Sequence, residues 1–172
     1  AFIAFEDWDD SGAGWSCWNG SDRPIGHAGG PGAGGAAGYA VCDLTAMTPF
    51  LDGAYWPCYL VPPASDRYNG EFSSASLSVA LRPFDGFEAA GGELVFFVGE
   101  WVDEDRYTFW FFETPVPLPD GMDWATRHLT LSGEASRWTV RSLGGARPLA
   151  DLLVRPQQWG FALMGVDGRA RN

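Results

Sequence analysis

Residues 76–82 alternate cleanly. Leu77, Val79 and Leu81 fall on one side and Ser78, Ala80 and Arg82 on the other. A period of two is that of a strand with one face on a core. Comparable short apolar runs recur at 2–6, 15–18, 39–42, 55–61, 94–98, 107–112, 129–131, 138–140 and 159–164. Pro62 and Pro63 stop the 55–61 run. No stretch of any length has helical period. Residues 150–155 fit one helical turn, ended by Pro156. About nine to eleven short strands at this spacing predict an all-β fold, an antiparallel β-sandwich or jelly roll with at most one short helix. The length suits a single domain over residues 1–172, and the low-complexity stretch 29–38 is expected to be a flexible Gly-rich loop.

One pair of strands departs from one-sided patterning. In 107–112, Tyr107, Phe109 and Phe111 fall on one side, and Trp110 and Phe112 on the other with Thr108. Residues 94–98 are likewise apolar on both faces, and the acidic stretch 99–106 between the two runs reads as a hairpin loop. A sandwich strand usually wets one face. Either a loop covers the second face, with the Gly-rich segment as a natural cover, or that face is a contact surface. The expectation is a contact surface on the 94–112 hairpin, with Trp110 and Phe112 facing outward.

Composition narrows the partners. Acidic residues outnumber basic ones by 22 to 11, for a net charge of -11. Phosphate backbones and anionic lipid would repel such a chain, so nucleic acid is excluded as a partner. No apolar run approaches the roughly 20 residues that span a bilayer as a helix. Ala1-Phe2-Ile3-Ala4 reads as an N-terminus left by cleavage after small residues. The cysteines are Cys17, Cys42 and Cys58, in neither a C-x-x-C nor a zinc spacing. The expectation is one disulfide and one leftover thiol in an oxidising compartment, extracellular or periplasmic. Sequence leaves the pairing open. Cys42 with Cys58 is preferred because they lie on neighbouring strand segments.

The order of short motifs resembles that of the laminin IV (laminin B) module. Phe5-Glu6-Asp7 followed by Asp10-Ser11-Gly12-Ala13-Gly14-Trp15 is similar to its opening. Gly29-Gly30-Pro31 through Gly38-Tyr39 to Asp43 is similar to its glycine-rich stretch. Tyr59-Leu60-Val61-Pro62-Pro63, then Tyr68-Asn69-Gly70 and Leu77 to Arg82, resemble its core. These motifs cover roughly the first half of the chain. The resemblance implies a jelly-roll, galactose-binding-like sandwich similar to carbohydrate-binding modules, in an extracellular, non-enzymatic role. The matching motifs are structural and carry over no ligand contact.

Catalytic chemistry finds little support. The chain has two histidines, His27 and His128, and no G-x-S-x-G. Glycosidases of this fold need two carboxylates set on one face. Glu100, Asp103, Glu104 and Asp105 lack the spacing of the laminarinase-like enzymes and read as a solvated loop. No cofactor is expected. A structural calcium ion would draw on Asp7, Asp9 and Asp10, or on Asp103, Glu104 and Asp105, though Asp in a turn more often bonds its own backbone. Sugar binding uses flat aromatics beside carboxylates, for which Trp101, Trp110 and Trp124 are the platforms. The expected function is a non-catalytic accessory subunit or adhesin that contacts a protein through Trp101, Asp103, Asp105, Trp110 and Phe112. A module binding a cell-surface glycan is the alternative, and a jelly-roll glycoside hydrolase the second alternative.

Overall fold

The computed structural model describes residues 15–18, 22–24, 26–41, 58–62, 70–83 and 92–164. Among them are eleven strands and one α-helix. The strands are β1 (Ser16–Trp18), β2 (Asp22–Pro24), β3 (Gly26–Gly29), β4 (Gly38–Val41), β5 (Cys58–Val61), β6 (Ser76–Leu81), β7 (Glu93–Asp103), β8 (Arg106–Phe112), β9 (Ala125–Thr130), β10 (Trp138–Leu143) and β11 (Gln158–Met164). The helix, α1, is Leu149–Val154. All pairings are antiparallel. The all-β sandwich expected from the alternation is the observed architecture.

One sheet has seven strands in the order β10-β8-β7-β11-β5-β1-β2. β11, the last of the described strands in sequence, therefore lies between β7 and β5. Two ribbons, β3–β4 and β6–β9, complete the β structure among the described residues. Leu94, Phe96, Val98, Phe112, Trp138 and Phe161 of the large sheet form a core with Leu129 of β9, and Leu77, Val79 and Leu81 of β6 pack against it. The alternating side of β6 thus meets the core as its pattern dictates.

Helix α1 closes the same face. Leu149, Leu152 and Leu153 are spaced as one helical stripe and are buried. The Leu153 carbonyl accepts from the Phe72 amide at 2.8 Å. Pro156 follows the helix, as its sequence position requires.

Three features differ from the sequence reading. β2 and β3 were not foreseen, because their short, Gly- and Pro-containing sequences carry no apolar alternation. Stretch 29–38, read as a flexible loop, forms the end of the β3–β4 hairpin. Gly30 and Gly32 donate to the carbonyls of Ala37 and Ala36, and Gly34 and Gly35 take the positive φ values of 65° and 88° that the turn needs. The expected acidic loop 99–106 is mostly strand. β7 runs to Asp103 and β8 starts at Arg106, leaving Glu104 and Asp105 as the turn.

Candidate functional site

β7 lies inside the sheet, between β8 and β11, and is buried on both faces from Leu94 to Gly99. Cross-strand partners share a face, so register sorts the aromatics. Val98 pairs with Trp110, Gly99 with Phe109, and Trp101 with Tyr107. Trp110 and Phe112 therefore turn toward the core that β6, β9 and α1 cover. Val95, Phe97, Phe109, Phe111 and Ala162 form a second buried cluster on the opposite face, with Trp101 and Tyr107 packed against it.

The outward surface expected of Trp110 and Phe112 is corrected here. Phe112 is 2% exposed and packs on Trp138 at 5.0 Å between ring centroids. It has no surface to offer a partner. Trp110 is half-buried, and the 144–148 segment fastens it. Its indole N–H donates to the Arg147 carbonyl at 3.0 Å. The Arg147 amide donates to the Thr108 hydroxyl oxygen at 3.0 Å, and the Arg147 guanidinium meets the Glu100 carboxylate at 2.5 Å. Backbone and side chain of one arginine thus hold the segment to the hairpin. The two sets of rings need no exposed face, because both faces of this strand are buried.

The remaining candidates converge at the turn end of the hairpin. The β11 ladder on β7 stops at Gly99, opposite Gln158, so residues 100–103 extend past it. In this overhang Trp101 stacks on Tyr107, with centroids 5.3 Å apart and planes 4° from parallel. The Trp101 amide donates to the Gln157 side-chain oxygen at 2.8 Å. Val102 is 47% exposed beside a bulge between Trp101 and Asp103. Asp103 accepts from the Asp105 amide at 3.1 Å and meets the Arg106 guanidinium at 3.4 Å, so it shapes the turn as Asp commonly does. Glu104 and Asp105 are exposed.

Gly99 is what lets this arrangement close. A Cβ there would fall on the Phe109 ring and 2.7 Å from the Thr108 carbonyl oxygen. The missing side chain is the space that Phe109 fills.

The other candidates lie elsewhere. Trp124, half-buried, donates to the Pro31 carbonyl at 3.1 Å and meets Tyr39 edge-on at 5.7 Å. The Arg82 guanidinium lies 5.6 Å from both ring centroids. Trp124 therefore anchors the β3–β4 hairpin end rather than joining the tip. Asp7, Asp9, Asp10 and Cys42 lie outside the described residues, and Cys58 opens β5. Among the described residues no three His, Cys, Asp or Glu side chains gather as a metal site. Sequence reasoning missed Tyr107, Val102, Gln157 and Arg147. The cross-strand pairing of Trp101 with Tyr107 follows from the two-residue turn and the bulge, and a bulge has no reliable sequence signal.

No helix among the described residues is long and apolar enough to cross a membrane. No protein-family model, curated protein or solved structure matches the chain.

Proposed function

We propose that this protein is a non-catalytic binding module, exported to the extracellular or periplasmic space. In this reading it holds a protein partner through the turn end of the β7–β8 hairpin, as an accessory subunit or adhesin. The observation that carries the reading is the overhang itself. The Trp101–Tyr107 stack is followed along the chain by exposed Val102 and by the exposed acids Asp103, Glu104 and Asp105. Aromatic anchors inside a charged rim are the usual anatomy of a contact site. The non-catalytic part draws support from the acids' partners. Glu100 is engaged by Arg147, and Asp103 by Arg106 and the turn.

The scaffold in this reading is a jelly roll, in keeping with the motif order that resembles laminin IV modules. A Cys42–Cys58 disulfide belongs to the same reading. Non-reducing peptide mapping that finds three free thiols in protein from its native compartment would reject both the bond and the export.

A second reading, a cell-surface glycan as the ligand, is favoured by one observation. The Trp101–Tyr107 stack is flat and flanked by carboxylates, a combination that suits a sugar ring.

One experiment separates the readings. Tagged protein is crosslinked in extract of the native source, in parallel with a Trp101→Ser, Asp105→Lys variant, and both proteins are screened on a glycan array. A polypeptide captured by the wild type and lost by the equally stable variant supports the protein reading. A variant-sensitive array signal without such a polypeptide supports the glycan reading. Equal capture by both proteins, with no array signal, removes the hairpin tip as the site.

A further inference from the structure

The large sheet ends in two unlike edges. β2, at one end, contains Pro24, which has no amide hydrogen to offer an incoming strand. β10, at the other end, spans Trp138–Leu143 without proline. Among the described residues it pairs with β8 alone, so one row of its main-chain N–H and C=O groups faces away from the sheet. Residues 139–143 are all exposed, with Val140 at 38% and Leu143 at 46%.

The charge of this edge is the reverse of the chain's. Residues 135–150 contain Arg137, Arg141 and Arg147 and no Asp or Glu, in a chain with 22 acids and 11 bases. Arg147 is spent on Glu100, and Arg137 on the Thr114 hydroxyl and the Phe112 ring. Arg141, in mid-strand, makes no ion pair or side-chain hydrogen bond among the described residues.

We propose that β10 is a docking edge for an extended acidic segment of a partner protein, which adds to the sheet as a further strand. Main-chain hydrogen bonds hold such a segment, and side chains select it. Arg141 lies on the face of Phe109, and Val140 on that of Trp110. The segment that fits therefore carries Asp or Glu on the Arg141 face and an apolar residue opposite Val140. A second copy of this chain fits worse. A symmetric antiparallel pairing about Arg141 would set that residue against its twin. This surface is separate from the hairpin tip, and the proposal stands whether or not the tip binds a partner.

The test uses the whole protein and two synthetic hexapeptides, one alternating valine with glutamate and the other valine with lysine. Amide hydrogen exchange is followed along the chain. The glutamate peptide is expected to slow exchange within residues 139–143, and the lysine peptide to bind at least about fivefold more weakly. Arg141→Glu, at an exposed position, should invert that order without moving the thermal midpoint, and Arg141→Gln should level it. No slowing at 139–143 with either peptide, or equal slowing with both, overturns the proposal. So does slowing that rises with protein concentration alone, which assigns the edge to a second copy. The two-peptide comparison on the wild type stands even if a variant fails to fold.

Discussion

The two faces of the large sheet are closed in different ways. On the face toward β6 and β9, Phe96 sits at a hub. Its ring meets Phe72, Trp138, Trp159 and Phe161 at centroid separations of 5.6 to 6.4 Å. Those partners come from three separate stretches of chain, Trp159 and Phe161 both belonging to β11. On the other face the described rings run as a file: Trp101, Tyr107, Phe109, Phe97 and Phe111. All five belong to one hairpin. The file starts at the half-exposed tip and ends fully buried. A two-sided apolar strand therefore marks a strand whose sheet is covered on both faces. Its binding capacity, if any, lies at its end rather than on its face.

The largest expected effect tests the hub. Phe96→Ala should lower unfolding free energy by about 3–5 kcal/mol, read from urea denaturation. Phe97→Ala should cost a similar amount. A cost for Phe97→Ala below about 1 kcal/mol would mean that the second face is loosely packed, and the comparison would fail.

Next comes Gly99→Ala. The added methyl meets the Phe109 ring and the Thr108 carbonyl, so about 1–3 kcal/mol should be lost. Phe109→Leu in the same chain should recover part of that loss, since only the ring can yield. Full additivity in the double-mutant cycle would show that the two residues do not share the space.

Trp110→Phe keeps most of the packing and removes the bond to the Arg147 carbonyl. It should cost about 1 kcal/mol. Trp110→Ala should cost more, in contrast to Trp101→Ala at the open end of the file, which should fall near 1 kcal/mol. If the order of Trp110 and Trp101 is reversed, the tip is core and the platform lies elsewhere.

The smallest effect concerns the exposed Arg106–Asp103 pair. Arg106→Gln should stay within about 0.5 kcal/mol. A larger loss would show that the turn depends on that contact.

Much of the fold was legible because the alternation of Leu77, Val79 and Leu81 and the helical stripe of Leu149, Leu152 and Leu153 are written in the sequence. The outward surface was misplaced for a physical reason. Parity shows that Trp110 and Phe109 point opposite ways, but not how many layers surround the strand. Both faces of β8 are closed here, partly by β6, β9, α1 and the Arg147 segment, whose spacing from residue 110 no local pattern encodes. The tip was half-found. Trp101 and Asp103 were identified, whereas Tyr107 required the register.

The place of β11 has a consequence for how the chain is made. The strand enters between β7 and β5, so it joins the hairpin side of the sheet to β5, β1 and β2. During synthesis these earlier strands leave the ribosome before residues 158–164 exist. Until then β7 and β5 each present an unfilled side. Pairings this distant in sequence form slowly, and unpaired strand sides invite association between nascent chains. The step that completes the sheet thus waits for a segment made after both of the strands it joins, and assembly is closer to locking a keystone than to zipping from one end.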